Sequence, residues 1–356
     1  MTAGSSGPNV MDTAPIRPEE RFDEARAADY LRRELPDLFG EASLEFDQFP
    51  GGAANLTYRV TGGVQELVLR RAPLGEVAQG GHDMEREHRV LSRIWRLFPE
   101  APRAFHYCAD PAILGKPFFV MERRHGHVIR GEWPASFARD PAVRRAAALN
   151  VVGGLARLHM VDPAAVDLGD LGHPEGFVGR QVAGWGRRWE AAATREVPEM
   201  EVAAQLLVAE LPEPNAAVVL HNDYKLDNTM LDDAGNLVAV FDWDMATRGD
   251  PLVDLGTLLA YWADPDDPTF LIFGDVAVTL ADDLAKSEVV ERYAAITGFD
   301  VTNIDYYEGL ALYRIAVIIE QIYARYAAGQ TSDHRFARFE PLAPLLAKAA
   351  VAKLRG

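Results

Sequence analysis

Residues 220–231 read LHNDYKLDNTML, and the reading of this stretch decides the rest. Val218, Val219 and Leu220 lead into it, Met230 and Leu231 lead out, and between them His221 to Asn228 crowd charged and amide groups together. The spacing is H-x-D-x-x-x-x-N. It puts a carboxylate, Asp223, and an amide, Asn228, on one tight loop, which is what phosphoryl transfer asks for: the carboxylate accepts a hydroxyl proton and the amide oxygen binds Mg²⁺. Turns rich in Asp and Asn are common in themselves, so the surroundings have to carry the argument.

Downstream, the apolar run from Leu237 ends in Phe241-Asp242-Trp243-Asp244. A carboxylate closing a buried strand shortly after such a loop is placed to hold the metal, and Mg²⁺ needs few protein ligands beside phosphate oxygens. Asn228 and Asp242 therefore suffice, and Asp244 either reaches a second ion or is merely solvated. In GDPLVDLG, Asp250 is suited to cap a helix and Asp254 to brace the loop from below. Upstream, FPGGAANLTY (Phe49 to Tyr58) is a glycine turn between strands whose backbone N–H groups at Gly51, Gly52 and Asn55 can lie against phosphates. On the next strand, LVLRR offers Arg70 as a phosphate-binding cation, and MEREH on the next helix offers Glu87 to orient it. Lysine is the usual residue at the first position. Arginine makes a sound, permanently charged pair with glutamate, but the two cations are not interchangeable.

Outward from these motifs the chain changes character. Residues 1–20 are rich in Gly, Ser, Pro and Thr and read as a flexible tail. Residues 21–122 read as a small β-rich unit: a helix from Phe22 to Phe39 closed by Gly40, strands at SLEFDQF, LTYRV and QELVLRR, a helix from His82 to Phe98, then strands at AFHYCA and PFFVME. Residues 123–356 read as mainly helical, with the loop and LVAVFDWD as short strand-flanked insertions. The length, 356 residues, suits two units. No apolar run approaches the roughly 18 residues of a bilayer span, and the first residues lack the basic and apolar regions of a secretory signal. A single cysteine, Cys108, fits a reducing cytoplasm. The net charge of −17 argues against nucleic acid or an anionic membrane as partner.

The motifs HNDYKLDN and FDWDMATRGDPLVDLG resemble those of the aminoglycoside-phosphotransferase-like family, small-molecule kinases with the bilobal protein-kinase-like fold. GGAANLTYRV, LVLRRAPLG, HDMEREHRVL, PFFVME and RGDPLVDLG further resemble a subgroup related to the kinase domain fused to some acyl-CoA dehydrogenases. The resemblance runs from about Phe22 to Tyr326. It implies an α+β fold with a small β-rich N-lobe and a larger helical C-lobe. It also implies ATP and Mg²⁺ as cofactors, with Asp223 as base and Lys225 neutralising the transferred group. Asn228 and Asp242 would hold the metal, with Arg70 on the α/β-phosphates fixed by Glu87. The backbone of Glu122 and Arg124 would read adenine beside Met121. The expected partner is a small-molecule hydroxyl acceptor: a hydroxyacyl-CoA or related alcohol, or alternatively an aminoglycoside or amino alcohol. A nucleotide-binding pseudokinase without turnover is a further alternative. Two basic runs bear on the acceptor, Arg123, Arg124 and Arg130 in one and Arg180, Arg187 and Arg188 in the other. They either form an anion-binding cluster or are solvated faces. Trp185, Trp189, Tyr261, Trp262 and Tyr323 either line an apolar acceptor pocket or are core.

Overall fold

In a computed structural model, residues 12–50, 55–73, 83–130, 133–262, 283–331 and 333–356 are described. They fall into two compact units. The first takes the residues up to Trp95, with Ala101–Arg124 and Trp243–Met245; the second takes Arg96–Glu100, His125–Asp242 and Ala246–Gly356.

The first unit is built on a five-stranded antiparallel sheet in the order β1-β2-β3-β5-β4, with β1 at Glu45–Gln48, β2 at Leu56–Thr61, β3 at Leu67–Arg71, β4 at Ala104–Cys108 and β5 at Phe118–Glu122. Burial along β2 alternates, with Leu56, Tyr58 and Val60 inward, as period-two pleating requires. The central strand β3 is buried along its whole length. Leu67 and Leu69 join Leu31, Phe39, Phe46, Phe118 and Val120 in one apolar cluster. The expected helix from Phe22 to Phe39 is two pieces, α1 (Glu24–Glu34) and α2 (Pro36–Phe39). Pro36 has no N–H to continue the ladder and restricts Leu35 before it, so the helix restarts there. Helix α3 (Met84–Ile94) opens on Asp83, whose carboxylate accepts from the Arg86 N–H.

The flexible tail expected over residues 1–20 needs correcting where it is described. Ala14 exchanges two backbone hydrogen bonds with Gln48, at 2.8 and 2.7 Å, and Ile16 is buried in the apolar cluster. The carbonyl of Glu20 accepts from Arg71 Nη2 at 2.7 Å and from the Tyr58 hydroxyl at 3.2 Å. A guanidinium 1% exposed cannot be left without acceptors; the N-terminal segment supplies one, and Leu114 O supplies another at 2.8 Å.

The second unit is mainly helical. After short helices α4 (Pro111–Leu114, in the first unit) and α5 (Ala135–Ala138), α6 spans Pro141–His159 and α7 Phe177–Ala192. Next come α8 at Pro198–Ala209, α9 at Leu252–Tyr261, α10 at Lys286–Thr297, α11 at Ile304–Ala327 and α12 at Leu342–Arg355. Helix α9 is buried from Leu252 through Ala260 and packs on α11, where Gly256 lies against the backbone of Tyr307. Two small antiparallel ribbons interrupt the helices: β6 (Val218–Leu220) with β9 (Thr247–Gly249), and β7 (Thr229–Leu231) with β8 (Leu237–Val240). Among the described residues, no helix is long and apolar enough to cross a membrane.

Candidate active site

Strand β6 delivers the chain to His221, which is fully buried. Asn222 then takes a left-handed conformation, φ 66°, which asparagine tolerates better than most residues. The bend aims two successive backbone N–H groups at one side chain. Those of His221 and Asn222 donate to Asp254 Oδ2 and Oδ1, each at 2.7 Å. Asp254 is thus the brace anticipated for the loop, held in the first turn of buried α9. Burial pushes its carboxyl pKa upward, but hydrogen bonding and charge from His159, then His221 and its N–H, more than reverse this, so it titrates below the ordinary carboxylate value. His221 props the loop from inside. Its Nε2 donates to Phe241 O at 2.8 Å and its Nδ1 accepts the Asp223 N–H at 3.2 Å, so these contacts place the ring proton on Nε2.

The two groups expected to act stand together. Lys225 Nζ reaches both carboxylate oxygens of Asp223, at 2.9 and 2.8 Å. Asn228 Nδ2 donates to Asp223 Oδ2 and to its carbonyl, each at 2.9 Å. Asp223 keeps 21% of its side chain exposed and Lys225 17%, so the pair is held yet open to a ligand. Lys225 also lies 5.1 Å from the Tyr261 ring centroid. Burial alone would lower its pKa; Tyr261, Asp223 and Asp227 outweigh burial and raise it, so the ammonium stays charged. The neighbouring Asp227 carboxyl is pushed up, chiefly by burial, with Lys225 pulling the other way.

The β7–β8 ribbon brings the candidate metal ligands together. Thr229 pairs with Val240, and the Phe241 N–H donates to Asn228 O at 2.8 Å. Asn228 and Asp242 therefore flank the same open end of the ribbon. Asn228 spends its NH₂ twice on Asp223, which leaves its amide oxygen as the ligand atom. Asp242 is in a left-handed conformation, φ 69°, which turns the chain sharply out of β8. One amide oxygen and one carboxylate are hard donors that fit Mg²⁺ if phosphate oxygens complete the shell. Among the described residues, no group of three or more His, Cys, Asp and Glu could hold a metal alone. Asp244 lies on the turn Trp243–Met245, which groups with the first unit, whereas Asn228 and Asp242 belong to the second.

In the first unit the Arg70–Glu87 pair is formed. Arg70 Nε lies 3.0 Å from Glu87 Oε2, with the side chains 11% and 1% exposed. Met121 is buried on β5. The Glu122 N–H is committed to Arg103 O at 2.8 Å, so it is not open to a base, which corrects the expectation for that half of its backbone. Its carboxylate lies 2.9 Å from Arg124 Nη2. Asn55 is buried at the entry to β2, and Gly51 and Gly52 lie outside the described residues.

Two arginines of the first basic run are already paired with carboxylates. Arg123 pairs with Asp12 and Glu66, and Arg124 pairs with Glu122. In the second run Arg180 turns back on the carbonyls of Glu175 and His173. Of the aromatics, Trp262 is core, its Nε1–H donating to Leu284 O at 2.7 Å, and Tyr323 stacks under Arg195. One supporting group escaped sequence reading. His159, at the end of α6, lies 3.2 Å from Asp254 Oδ2 and 2.6 Å from the Tyr293 hydroxyl on α10. A histidine closing a helix gives no local signal of such distant partners. Asp250 is the cap that was expected: it accepts from the Leu252 N–H at 2.9 Å and also from Asn215 and Tyr307.

Comparison with known proteins bears on the family and the fold. The chain is 31% identical over 332 residues to mouse (Mus musculus) acyl-CoA dehydrogenase family member 10, covering 91% of this chain and 30% of that protein. It is 29% identical over 343 residues to acyl-CoA dehydrogenase family member 11 of Gallus gallus, covering 93% and 44%. It thus spans less than half the length of these relatives. Among solved structures, a Ralstonia eutropha JMP134 protein provisionally called an aminoglycoside phosphotransferase superposes with TM-score 0.78 at 25% identity, over 94% of this chain and 99% of that one. An aminoglycoside phosphotransferase solved with ADP and hygromycin B superposes with TM-score 0.59 at 16% identity, covering 92% and 99%, a likeness of fold alone. The fold is α+β and protein-kinase-like, a small antiparallel-sheet lobe with a larger helical one. The family model described as the phosphotransferase enzyme family matches residues 45–283, and the chain that carries the Asp223 loop, its Asp254 brace and the Arg70–Glu87 pair belongs to that family.

Proposed function

We propose that the protein is a small-molecule kinase that moves the terminal phosphoryl group of ATP to a substrate hydroxyl. The observation that carries this reading is Asp223, held by Lys225 and Asn228 on a loop whose backbone is gripped by Asp254. In the reaction, the acceptor hydroxyl takes one Asp223 oxygen from Lys225. Asp223 accepts the hydroxyl proton as the new O–P bond forms, and the bond to the ADP oxygen breaks. Lys225, kept charged, neutralises the transferring group. Arg70, fixed by Glu87, would contact the nucleotide phosphates. Asn228 and Asp242 would hold Mg²⁺, with Asp244 as a further candidate, and the ion when bound neutralises phosphate oxygens. Adenine would be read by backbone near Met121 and Arg124, and Gly51, Gly52 and Asn55 would bind phosphates. The acceptor we favour is a hydroxyacyl-CoA or related alcohol, because the relatives in the comparison are named as acyl-CoA dehydrogenase family members. A lone free cysteine supports a cytoplasmic setting.

The test is Mg²⁺-dependent ATP consumption by purified protein against hydroxyacyl-CoAs, free hydroxy acids and aminoglycosides, with the product identified by mass. Asp223→Ala should lower transfer by at least ~10²-fold, the usual range for a general base, while Mg·ATP binding persists. Retained turnover would remove Asp223 from that role, and absence of nucleotide binding by the wild type would sink the kinase reading.

A further inference from the structure

His159 closes α6 with its side chain fully buried, and two groups hold its ring from opposite edges. Nε2 lies 3.2 Å from Asp254 Oδ2, and Nδ1 lies 2.6 Å from the Tyr293 hydroxyl. Asp254 titrates below the ordinary carboxylate value and can only accept, so Nε2 carries a proton. A neutral imidazole then offers Nδ1 as an acceptor, and the Tyr293 O–H donates to it. Burial, then the charges of Asp254 and Asp250, raise the phenol pKa, so the hydroxyl keeps the proton it donates. The result is one directed chain, Tyr293 to His159 to Asp254, with every member buried.

The far end of this chain is the reacting loop. Asp254 Oδ2 takes both the His159 Nε2–H and the His221 N–H, while Oδ1 takes the Asn222 N–H. Two successive amides are gripped only while the plane of the carboxylate matches them, and a carboxylate turns about its own bond unless something opposes it. His159 opposes it, provided that its ring is itself fixed. An imidazole bonded at one nitrogen can turn; one bonded at both is held. A hydrogen bond received at Nδ1 also polarises the ring and strengthens donation from Nε2. Asp223 follows the gripped amides directly in the chain. Tyr293 is placed by α10, which packs on α6 and is tied to it by Arg145 and Glu288, 2.7 Å apart. It lies past residue 283, where the match to the family model ends, so the family motifs do not account for it. All of these residues belong to the second unit.

We infer that Tyr293 is a positioning residue for phosphoryl transfer: it fixes the His159 ring and, through Asp254, holds Asp223 in place for its acceptor. This rests on the kinase reading and deepens it. The test begins without any acceptor. In wild-type protein labelled with ¹⁵N-histidine, the His159 resonances, identified by their loss in His159→Gln, should be those of a neutral ring protonated on Nε2 with Nδ1 accepting. In Tyr293→Phe the Nδ1 resonance should move towards that of an unbonded nitrogen. Amide hydrogen exchange at His221 and Asn222 should quicken by ~10-fold, the scale of one hydrogen bond, while amides of α11 exchange as in wild type. Turnover is read as Mg²⁺-dependent transfer from ATP to a hydroxyacyl-CoA. Tyr293→Phe should lower kcat by ~10-fold and leave both KM values and Mg·ATP binding nearly unchanged, because it alters the geometry of the loop and not the binding of either partner. His159→Gln keeps an N–H donor for Asp254 but has no ring for the phenol to fix, so adding Tyr293→Phe to it should cost little further. Exchange at His221 and Asn222 indifferent to Tyr293→Phe overturns the inference. So does equal quickening across α11, which marks a general loss of stability. A wild-type ring protonated on Nδ1, an unchanged kcat, or an undiminished effect of Tyr293→Phe in the His159→Gln background overturns it as well. Failure of the wild type to bind Mg·ATP strikes the kinase reading itself, and the exchange and ¹⁵N results still decide whether Tyr293 governs the loop.

Discussion

Arg70 and Arg71 are adjacent and identical on one buried strand, yet pleating sends them to opposite faces and to different work. Arg70 meets Glu87 of α3; Arg71 meets carbonyls of Glu20 and Leu114 and ties down the N-terminal segment. Beside Glu87, His88 stacks on Tyr107 with ring centroids 5.7 Å apart. Burial first, and then the charges of His106 and Arg93, lower its pKa from 6.5 to about 4. The unfolded chain takes up this proton near pH 6.5 and the folded chain only near 4, so the unfolded state binds more protons in that window and stability falls as pH drops through it. His106, lowered chiefly by burial, adds in the same direction. The unfolding midpoint of the wild type should therefore decline between those pH values, and His88→Gln should flatten part of the decline. Identical pH slopes for the two proteins would show that His88 is not its source.

At the scale of elements, α9 combines two tasks. One face carries Thr257 and Tyr261, while Asp254 grips the loop and Gly256 lets α11 approach. A Cβ at Gly256 would meet backbone atoms of Tyr307, which cannot swing aside as a side chain can. Gly256→Ala gains about 1 kcal/mol of helix propensity, yet the forced separation of two packed helices costs about 1–3 kcal/mol or more. The net expectation is a destabilised protein in urea titrations. Its turnover should fall further than its folded fraction, because Asp254 shifts with the helix. A Gly256→Ala protein at least as stable as wild type would contradict the close crossing. The ribbon β7–β8 shows the same economy. Its register, with Thr229 opposite Val240, sets Asn228 beside the exit to Asp242 without any long-range device.

For the whole molecule, the acidic balance and the nucleotide reading lead to one measurement. A ligand bound by the native state alone stabilises it by about 2.7 kcal/mol at 100 times its Kd. Mg·ATP should therefore raise the melting temperature in a concentration-dependent way, and EDTA should remove most of the gain. A melting temperature indifferent to Mg·ATP would count against the proposed nucleotide site.

Much of this was legible before any coordinates. A period-two run marked β2, apolar runs marked β3 and β5, helical spacing marked α3, and the H-x-D-x-x-x-x-N spacing marked the loop. In each case the signal is short-range, because backbone sterics and neighbouring side chains within a few residues select the conformation. Even the brace at Asp254 could be suggested from its place at a helix start. The sequence by itself thus determined most of the elements and the family, and it named the candidate site residues. Only the tertiary structure decided which partner each buried polar group takes: Asp254 with His159 and the loop amides, Arg71 with Glu20, Arg314 with Trp185, and Arg123 and Arg124 with carboxylates. Such choices follow from the need to satisfy each buried donor and acceptor, and the group that satisfies it is whichever distant segment packing brings within reach. Nothing in the residue's own neighbourhood in the chain encodes that distance.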